Sequence, residues 1–241
     1  DQDLLIYVHG AKVDFYNGCV FAAQLDQFMG RDMTSLAFCW PTHQDIISYG
    51  IGTDVRRADA AAPALAALID LVAAQSGARR IHVLAWSAGA RVLTRALVLL
   101  HDKYPDLDAD ALRAKLRIRT AYFAAGDLPR DLFIDALPRV RAVTERIIIS
   151  ASDNDTSLRS ARWFMGGETR IGQLGATLTE AQMAVVDATP NLQILDVSRG
   201  RETRGFDIAG HEYWFDNPWA SSDVILTIRS DLDPAARGLA Q

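Results

Sequence analysis

The sequence contains very little cysteine, which excludes two classes of protein. Only Cys19 and Cys39 occur among the 241 residues, too few for a disulfide framework and without the spacing of a metal-binding motif. The two can form a single disulfide bond or remain as buried thiols, and the sequence leaves both possibilities open. We predict no metal ion and no organic cofactor.

Runs of like charge and long apolar runs are also missing. The net charge is −5 at pH 7, and acidic and basic residues are mixed along the chain, which leaves no basic patch for nucleic acid. Apolar runs such as 146–152 are far shorter than the ~20 residues that span a bilayer. We therefore predict neither a nucleic-acid partner nor a membrane-spanning segment, and the oligomeric state stays open.

What the chain does contain is a globular composition, with 49% hydrophobic and 23% charged residues. It shows no internal repeat, low-complexity segment or linker, so a single domain over 1–241 is predicted. The first residues form a strand pattern without an initial Met, and we expect an upstream segment to have been removed. A targeting signal would have been there, so an exported, envelope-associated or cytoplasmic location stays open.

Strand-like and helix-like segments alternate along the chain. The strand patterns cover 4–10, 35–40, 80–86, 116–127, 141–152 and 192–198. The helix patterns cover 18–30, 62–77, the segment after Ser87, 131–138, 156–167 and 221–232. Pro63 would lie either in the first turn of its helix or at a kink in a longer one. The alternation predicts the α/β class, with a mostly parallel sheet covered by helices on both faces.

Reactive residues follow several of the predicted strands. In chain order they are His9 with Gly10, Ser87, Asp153 with Asp155, and His211. Because chemistry in an open parallel sheet collects at the carboxyl ends of its strands, we expect these residues to share one edge. The order serine, aspartate, histidine is also the chain order of catalytic triads on the α/β-hydrolase fold.

Each member of such a triad meets a chemical need. A serine hydroxyl is a weak nucleophile at neutral pH, so Ser87 needs an adjacent base. The imidazole of His211 can take the proton near pH 7 and return it to the leaving group. A buried carboxylate fixes the imidazole tautomer. Asp155 lies three residues after Ser152, the small residue at the strand end, which favours it over the alternative acid Asp153.

The neighbours of Ser87 fit a sharp strand-to-helix turn that exposes a nucleophile. Ala85 and Gly89, two residues before and after it, are small enough for close backbone packing. A simpler possibility is that Ser87 only caps the following helix, since serine is a favoured N-cap residue.

The oxyanion that forms in acyl transfer needs preorganised N–H donors. Ala88, the residue after the nucleophile, would supply one backbone N–H, and Ala11 or Lys12 in the loop after the first strand would supply the other. His9 and Gly10 begin that loop. We expect the His9 side chain to brace the loop by hydrogen bonds rather than to transfer protons.

Several segments of the chain carry a resemblance to a known family. They are IYVHGAKVDF, FCWPT, LAWSAGA, SASDNDTSL and GHEYWFDNPWASSDVIL. Together they resemble a family of α/β-hydrolases of unassigned function, found mainly in bacteria, over nearly the whole chain. Ser87, Asp155 and His211 fall on matching positions. The resemblance implies an α/β-hydrolase fold without a large cap domain, and members often carry an N-terminal export or lipid-attachment signal.

The chain departs from that family close to the expected chemistry. The family has tyrosine and asparagine after its His-Gly pair, where this chain has Ala11 and Lys12. It has His-Ser-Met-Gly at the elbow, where 86–89 here read Trp-Ser-Ala-Gly. The substrate preference of the family is therefore not carried over.

These patterns predict a serine hydrolase that cleaves carboxylic esters of small molecules through an acyl-enzyme. An acyltransferase or a thioesterase would use the same Ser87, Asp155 and His211. A non-catalytic binding or scaffold domain is the alternative of a different class, because one fold hosts many functions.

Overall fold

A parallel sheet forms the centre of the fold. A computed structural model of the chain describes residues 2–43, 52–153, 155, 158, 167–175, 177–198 and 213–239. Within these ranges the strands are β1 (Leu4–Val8), β2 (Thr34–Phe38), β3 (Ile81–Trp86), β4 (Ile118–Ala124), β5 (Thr144–Ala151) and β6 (Leu192–Asp196). Their order is β2-β1-β3-β4-β5-β6, and every neighbouring pair is parallel. Their carboxyl ends therefore share one edge of the sheet.

Helices connect these strands and cover both faces of the sheet. In the described part of the chain they are α1 (Phe15–Phe28), α2 (Thr53–Gln75), α3 (Gly89–Lys103), α4 (Ala109–Leu116), α5 (Arg130–Val143), α6 (Glu180–Asp187), α7 (Tyr213–Asp216) and α8 (Pro218–Arg229), followed by the 3-10 turn Ala235–Arg237. Side-chain oxygens cap the N-termini of α1, α4, α6 and α8, which satisfies backbone N–H groups that have no partner inside a helix.

Two hydrophobic clusters fill the two faces. Side chains alternate along β3, so that Val83 and Ala85 join the cluster under α2, α3 and α5. Leu84 and Trp86 join the cluster under α1 and α8. β1 and β3 are buried along their whole length, as expected for the middle of a parallel sheet that is covered on both faces.

Helix α2 is longer than its sequence pattern indicated. It begins at Thr53 and continues through Pro63, so the structure places this proline inside a longer helix. By length and composition alone, α2 is apolar enough to cross a membrane. One side of α2 is buried in the hydrophobic cluster that it shares with α3, which is the arrangement of an ordinary core helix.

The predicted strands are confirmed, whereas the helices were predicted less completely. The sequence analysis placed no helix at α4 or α6. Helix α5 extends the predicted 131–138 segment to Val143 and passes through Pro138. The helix predicted over 156–167 lies outside the described residues, apart from Leu158 and Gly167.

Cys19 and Cys39 are both half-buried free thiols. Burial, together with the proximity of Cys19, raises the pKa of Cys39 to about 11. Of the two possibilities that the sequence left open, the structure therefore shows the pair of thiols.

Candidate active site

Ser87 lies on a sharp turn between β3 and α3. Its φ is +53°, a left-handed value that costs a non-glycine residue about 1–3 kcal/mol. The backbone N–H of Ser87 donates to the Ala124 carbonyl at 2.9 Å, and its own carbonyl accepts from the Asp127 N–H at 3.0 Å. The N-cap position of α3 is Ala88 rather than Ser87. The serine is therefore held in a strained turn and does not occupy the position of an ordinary helix cap.

Gly89 lets α3 approach the end of β1 very closely. A Cβ atom at this position would lie 2.6 Å from the Val8 carbonyl oxygen and 2.8 Å from the His9 carbonyl oxygen. Both obstructing atoms belong to the backbone, so neither can rotate away. A glycine two residues after Ser87 is thus a steric requirement of the turn.

Strained backbone collects at this edge of the sheet. Lys12 follows β1 with φ of +60°, Ser87 follows β3, and Ala125 follows β4 with φ of +46°. These three strands are neighbours. Other non-glycine residues with positive φ in the described chain follow helix ends, where a left-handed residue is common. Strain of the first kind is typical of functional sites.

Two hydrogen bonds hold the imidazole of His9 in the loop after β1. Its Nδ1 lies 2.8 Å from the Gly10 carbonyl oxygen, and its Nε2 accepts from the backbone N–H of Trp40 at 3.1 Å. The Trp40 indole stacks on the ring and donates to the His9 carbonyl at 2.7 Å. These bonds match a neutral ring that carries its proton on Nδ1.

Burial lowers the pKa of His9, and the bond to the Gly10 carbonyl only partly offsets this effect. A protonated Nε2 could not accept from Trp40, so protonation would cost this ring a bond. His9 is therefore built into the loop as a brace, and its geometry gives it no proton to exchange with Ser87.

The loop after β1 also contacts the Ser87 turn directly. A Cβ atom on Gly10 would lie 3.0 Å from Cβ of Ser87. In the part of the chain that the structure describes, the backbone N–H groups of Ala11, Lys12 and Ala88 donate no hydrogen bond. Unsatisfied N–H groups on the two loops flanking a serine are suitable donors to an oxyanion.

The loop after β5 separates the two candidate acids by burial. Asp155 is completely buried and accepts from the Leu158 backbone N–H at 2.9 Å. Asp153 is exposed, and its backbone N–H donates to Ser198 Oγ at 2.9 Å. An orienting carboxylate is buried in known triads, which favours Asp155. The bond from Leu158 is also one that a helix cap would accept, so the same carboxylate fits both roles.

The predicted base, His211, lies outside the described residues. The chain leaves the carboxyl end of β6 after Ser198 and is described again from Tyr213 onward. Because β6 pairs in parallel with β5, Ser198 lies at the same edge of the sheet as Asp155.

Two buried charges at this edge were not predicted. Asp127 follows β4, and Arg170 Nε lies 3.1 Å from its Oδ1. Their exposed fractions are only 3% and 1%. The strand-end rule could have found Asp127 in the run AAGD, but no local pattern marks Arg170, because its partner is distant in sequence.

A histidine–carboxylate pair at the far side of the edge was also missed. His43 Nδ1 lies 2.8 Å from Oδ1 of Asp54, which is completely buried. His43 follows β2, and β1 separates β2 from β3. This pair therefore starts about 10 Å from the strand that leads to Ser87. Among the described residues, no group of three or more His, Cys, Asp or Glu side chains could hold a metal ion.

A strained serine on a strand-to-helix turn, at the carboxyl edge of a parallel sheet with helices on both faces, defines an α/β hydrolase fold. Residues 1–227 match the DUF900 family, described as alpha/beta hydrolases of unknown function. The chain belongs to this family.

Several solved structures are similar to this chain at low sequence identity. Dienelactone hydrolase from Anabaena variabilis has a TM-score of 0.51 and 14% identity, over 95% of this chain and 84% of that one. A poly(3-hydroxybutyrate) depolymerase from Bordetella parapertussis has a TM-score of 0.46 and 14% identity, over 99% and 84%. A lipase-esterase related protein from Clostridium acetobutylicum has a TM-score of 0.46 and 10% identity, over 95% and 94%. Among curated proteins, none matches this chain.

Proposed function

We propose that this protein is a serine hydrolase that cleaves carboxylic esters of small molecules through a covalent acyl-enzyme. The observation that carries the proposal is the backbone of Ser87, with φ of +53° between β3 and α3. A strained residue persists only where its surroundings enforce it. Here Gly89 packs against the end of β1 and the Gly10 loop packs against the serine.

In the acylation step, Ser87 Oγ attacks the carbonyl carbon of the ester while His211 accepts the hydroxyl proton. The carbonyl oxygen becomes an oxyanion, which the N–H of Ala88 and that of Ala11 or Lys12 stabilise. The intermediate then collapses and the bond to the alcohol oxygen breaks. His211 returns its proton to that oxygen, and the acyl group stays on the serine.

In the deacylation step, His211 accepts a proton from water while the water oxygen attacks the acyl-enzyme. The second tetrahedral intermediate collapses and the bond between the acyl carbon and Ser87 Oγ breaks. His211 returns its proton to Oγ, and the carboxylic acid is released. Asp155 stabilises the imidazolium in both steps and holds its tautomer between them. The complete burial of Asp155 supports this role over Asp153.

The test is hydrolysis of p-nitrophenyl esters of increasing acyl length by the purified protein. Ser87→Ala and His211→Ala should each lower kcat by at least ~10³-fold, because nucleophile and base act as a unit. The matched controls are Ser76→Ala, at the end of α2, and His43→Ala, beside Asp54. Both controls should keep wild-type rates.

Ester cleavage that survives in folded Ser87→Ala would remove this serine from the mechanism. If His43→Ala loses activity instead of His211→Ala, the base lies in the loop after β2. Faster turnover of thioesters, or acyl transfer to an added alcohol, would place the protein among thioesterases or acyltransferases with the same Ser87. A folded protein without any acyl chemistry would favour a binding or scaffold role.

A further inference from the structure

The buried charges Asp127 and Arg170 form an ion pair beside the nucleophile turn. Arg170 Nε lies 3.1 Å from Asp127 Oδ1, and both side chains are almost completely buried. The backbone N–H of Asp127 donates to the Ser87 carbonyl at 3.0 Å. The acidic member of the pair is therefore attached directly to the residue that carries the strain.

The basic member lies in a short segment, 169–173, which we call the strap. Three backbone hydrogen bonds join the strap to the loop after β4 and the start of α5. The N–H of Arg130 donates to the Thr169 carbonyl at 2.8 Å, that of Ile171 to the Leu128 carbonyl at 3.0 Å, and that of Gly172 to the Gly126 carbonyl at 3.0 Å. The Asp127–Arg170 pair adds a side-chain connection between the same two segments.

The other side of the strap contacts the turn that holds the candidate acid. The Gly172 carbonyl accepts from the Ser152 N–H at 3.0 Å, just where β5 ends. A Cβ atom on Gly172 would lie 2.6 Å from Leu158 Cδ1, and the Leu158 N–H donates to Asp155. The strap thus connects the turn of Ser87 with the turn of Asp155.

A buried ion pair is a poor way to gain stability alone. Removing two charges from water offsets most of their attraction, and well-packed apolar residues of similar volume are often as stable or more so. A charge pair between two almost completely buried side chains does, however, hold together the two segments that carry it. We propose that Asp127 and Arg170 are positioning residues that fix the Ser87 turn relative to the Asp155 turn, an inference that rests on the proposed function.

The test is the double variant Asp127→Asn/Arg170→Met, which leaves no uncompensated buried charge and should therefore fold. We expect its kcat for ester hydrolysis to fall about 10- to 100-fold, with KM within about twofold of wild type, because small errors in catalytic geometry have effects of this size. Amide hydrogen exchange at Ser152 and Gly172 should become faster. The matched control is Asp223→Asn/Arg237→Met, which removes a similarly buried pair, 2.9 Å apart, on α8 and the C-terminal turn; its kcat should not change.

If the double variant keeps wild-type kcat and unchanged amide hydrogen exchange, the pair only occupies volume in the core and the inference is overturned. An equal loss in both double variants would indicate general destabilisation and overturn it as well. Wild type and Ser87→Ala are measured in the same series, so an inactive wild type counts against the proposed function alone. The exchange rates test the positioning role in that case too, since they do not depend on turnover.

Discussion

The two edges of the sheet hold their charges in different ways. At the amino edge, Asp3 accepts from Arg80 at 2.6 Å, and Asp231 accepts from Arg80 at 2.9 Å, from Arg119 at 2.7 Å and from Arg146 at 2.6 Å. Burial alone would raise the pKa of Asp231, but the bonds from Arg119 and Arg146 outweigh it and lower that pKa. This edge is a partly exposed network of ion pairs, in which each carboxylate accepts hydrogen bonds from several arginine side chains.

At the carboxyl edge, charged groups such as Asp127, Arg170 and Asp155 are more deeply buried, and the backbone is strained. Ser87 and Ala125 have left-handed φ values after neighbouring strands, and the completely buried Asp155 lies beside them on the loop after β5. The difference indicates that the two edges have different roles. The amino edge fastens the segment after α8 to the strands, whereas the carboxyl edge keeps a geometry that costs stability. Changes at the first edge should reduce stability, and changes at the second should reduce rate.

The largest effect is expected at Asp155. Asp155→Asn keeps an oxygen that can accept from Leu158, so the thermal unfolding temperature should stay near that of wild type. Its kcat should fall by up to ~10⁴-fold, because an amide cannot stabilise the imidazolium. The exposed Asp153→Asn is the matched control and should keep kcat within about twofold. Loss of rate in Asp153→Asn alone would move the acid to that position.

The next effect concerns the close approach at Gly89. A Cβ atom there would lie 2.6 Å from a backbone oxygen, so Gly89→Ala must push α3 away from β1. We expect a loss of about 3 kcal/mol in the free energy of unfolding, measured in urea, together with loss of activity. Gly77, where an added Cβ meets nothing within 4 Å, supplies the control. Equal stability of the two alanine variants would contradict the steric account.

A smaller effect is expected at the amino edge. Asp231→Asn leaves Arg80, Arg119 and Arg146 close together without their shared carboxylate. The free energy of unfolding should fall by about 1–2 kcal/mol, less than for a fully buried pair because the site is partly exposed. Its kcat should not change. A lower kcat at an unchanged free energy of unfolding would show that the amino edge also affects catalysis, which would contradict this distinction.

The smallest effect is a pH dependence from His82, which is completely buried in β3. Burial lowers its pKa, and the nearby Asp3 only partly offsets this. The unfolded chain therefore binds the proton more readily, so stability is complete above about pH 6.5 and falls as the pH drops. A single histidine contributes at most ~1.4 kcal/mol per pH unit. His82→Leu should reduce the slope between pH 7.5 and 5.5. An unchanged slope in His82→Leu would contradict this assignment.

The alternation of parallel strands with helices, and the edge at which Ser87 lies, could be inferred from sequence because they depend on local patterns. Apolar runs that end in Gly10, Ser87 or Asp155 are visible without a structure, and parallel strands bring their ends together. The sequence analysis expected a small residue at Gly89 because the backbone packs closely there, and the structure shows this close packing against β1.

What could not be inferred depends on backbone angles and distant contacts. The left-handed φ of Ala125 has no sequence signal, since alanine is a common helix and strand residue. The choice between Asp153 and Asp155 depended on the spacing of three residues from Ser152, whereas their burial distinguishes the two directly. The strap and Arg170 were missed because their bonds join segments that are far apart in sequence.

The most direct test of the account is labelling of the native protein with a fluorophosphonate, followed by mass spectrometry of its peptides. Such probes react with a serine only when its oxygen is activated by a base. The account predicts one adduct per chain, on Ser87, and none in folded Ser87→Ala. A native protein that stays unlabelled, or an adduct on a different serine, would contradict the claim that this strained turn carries an activated nucleophile.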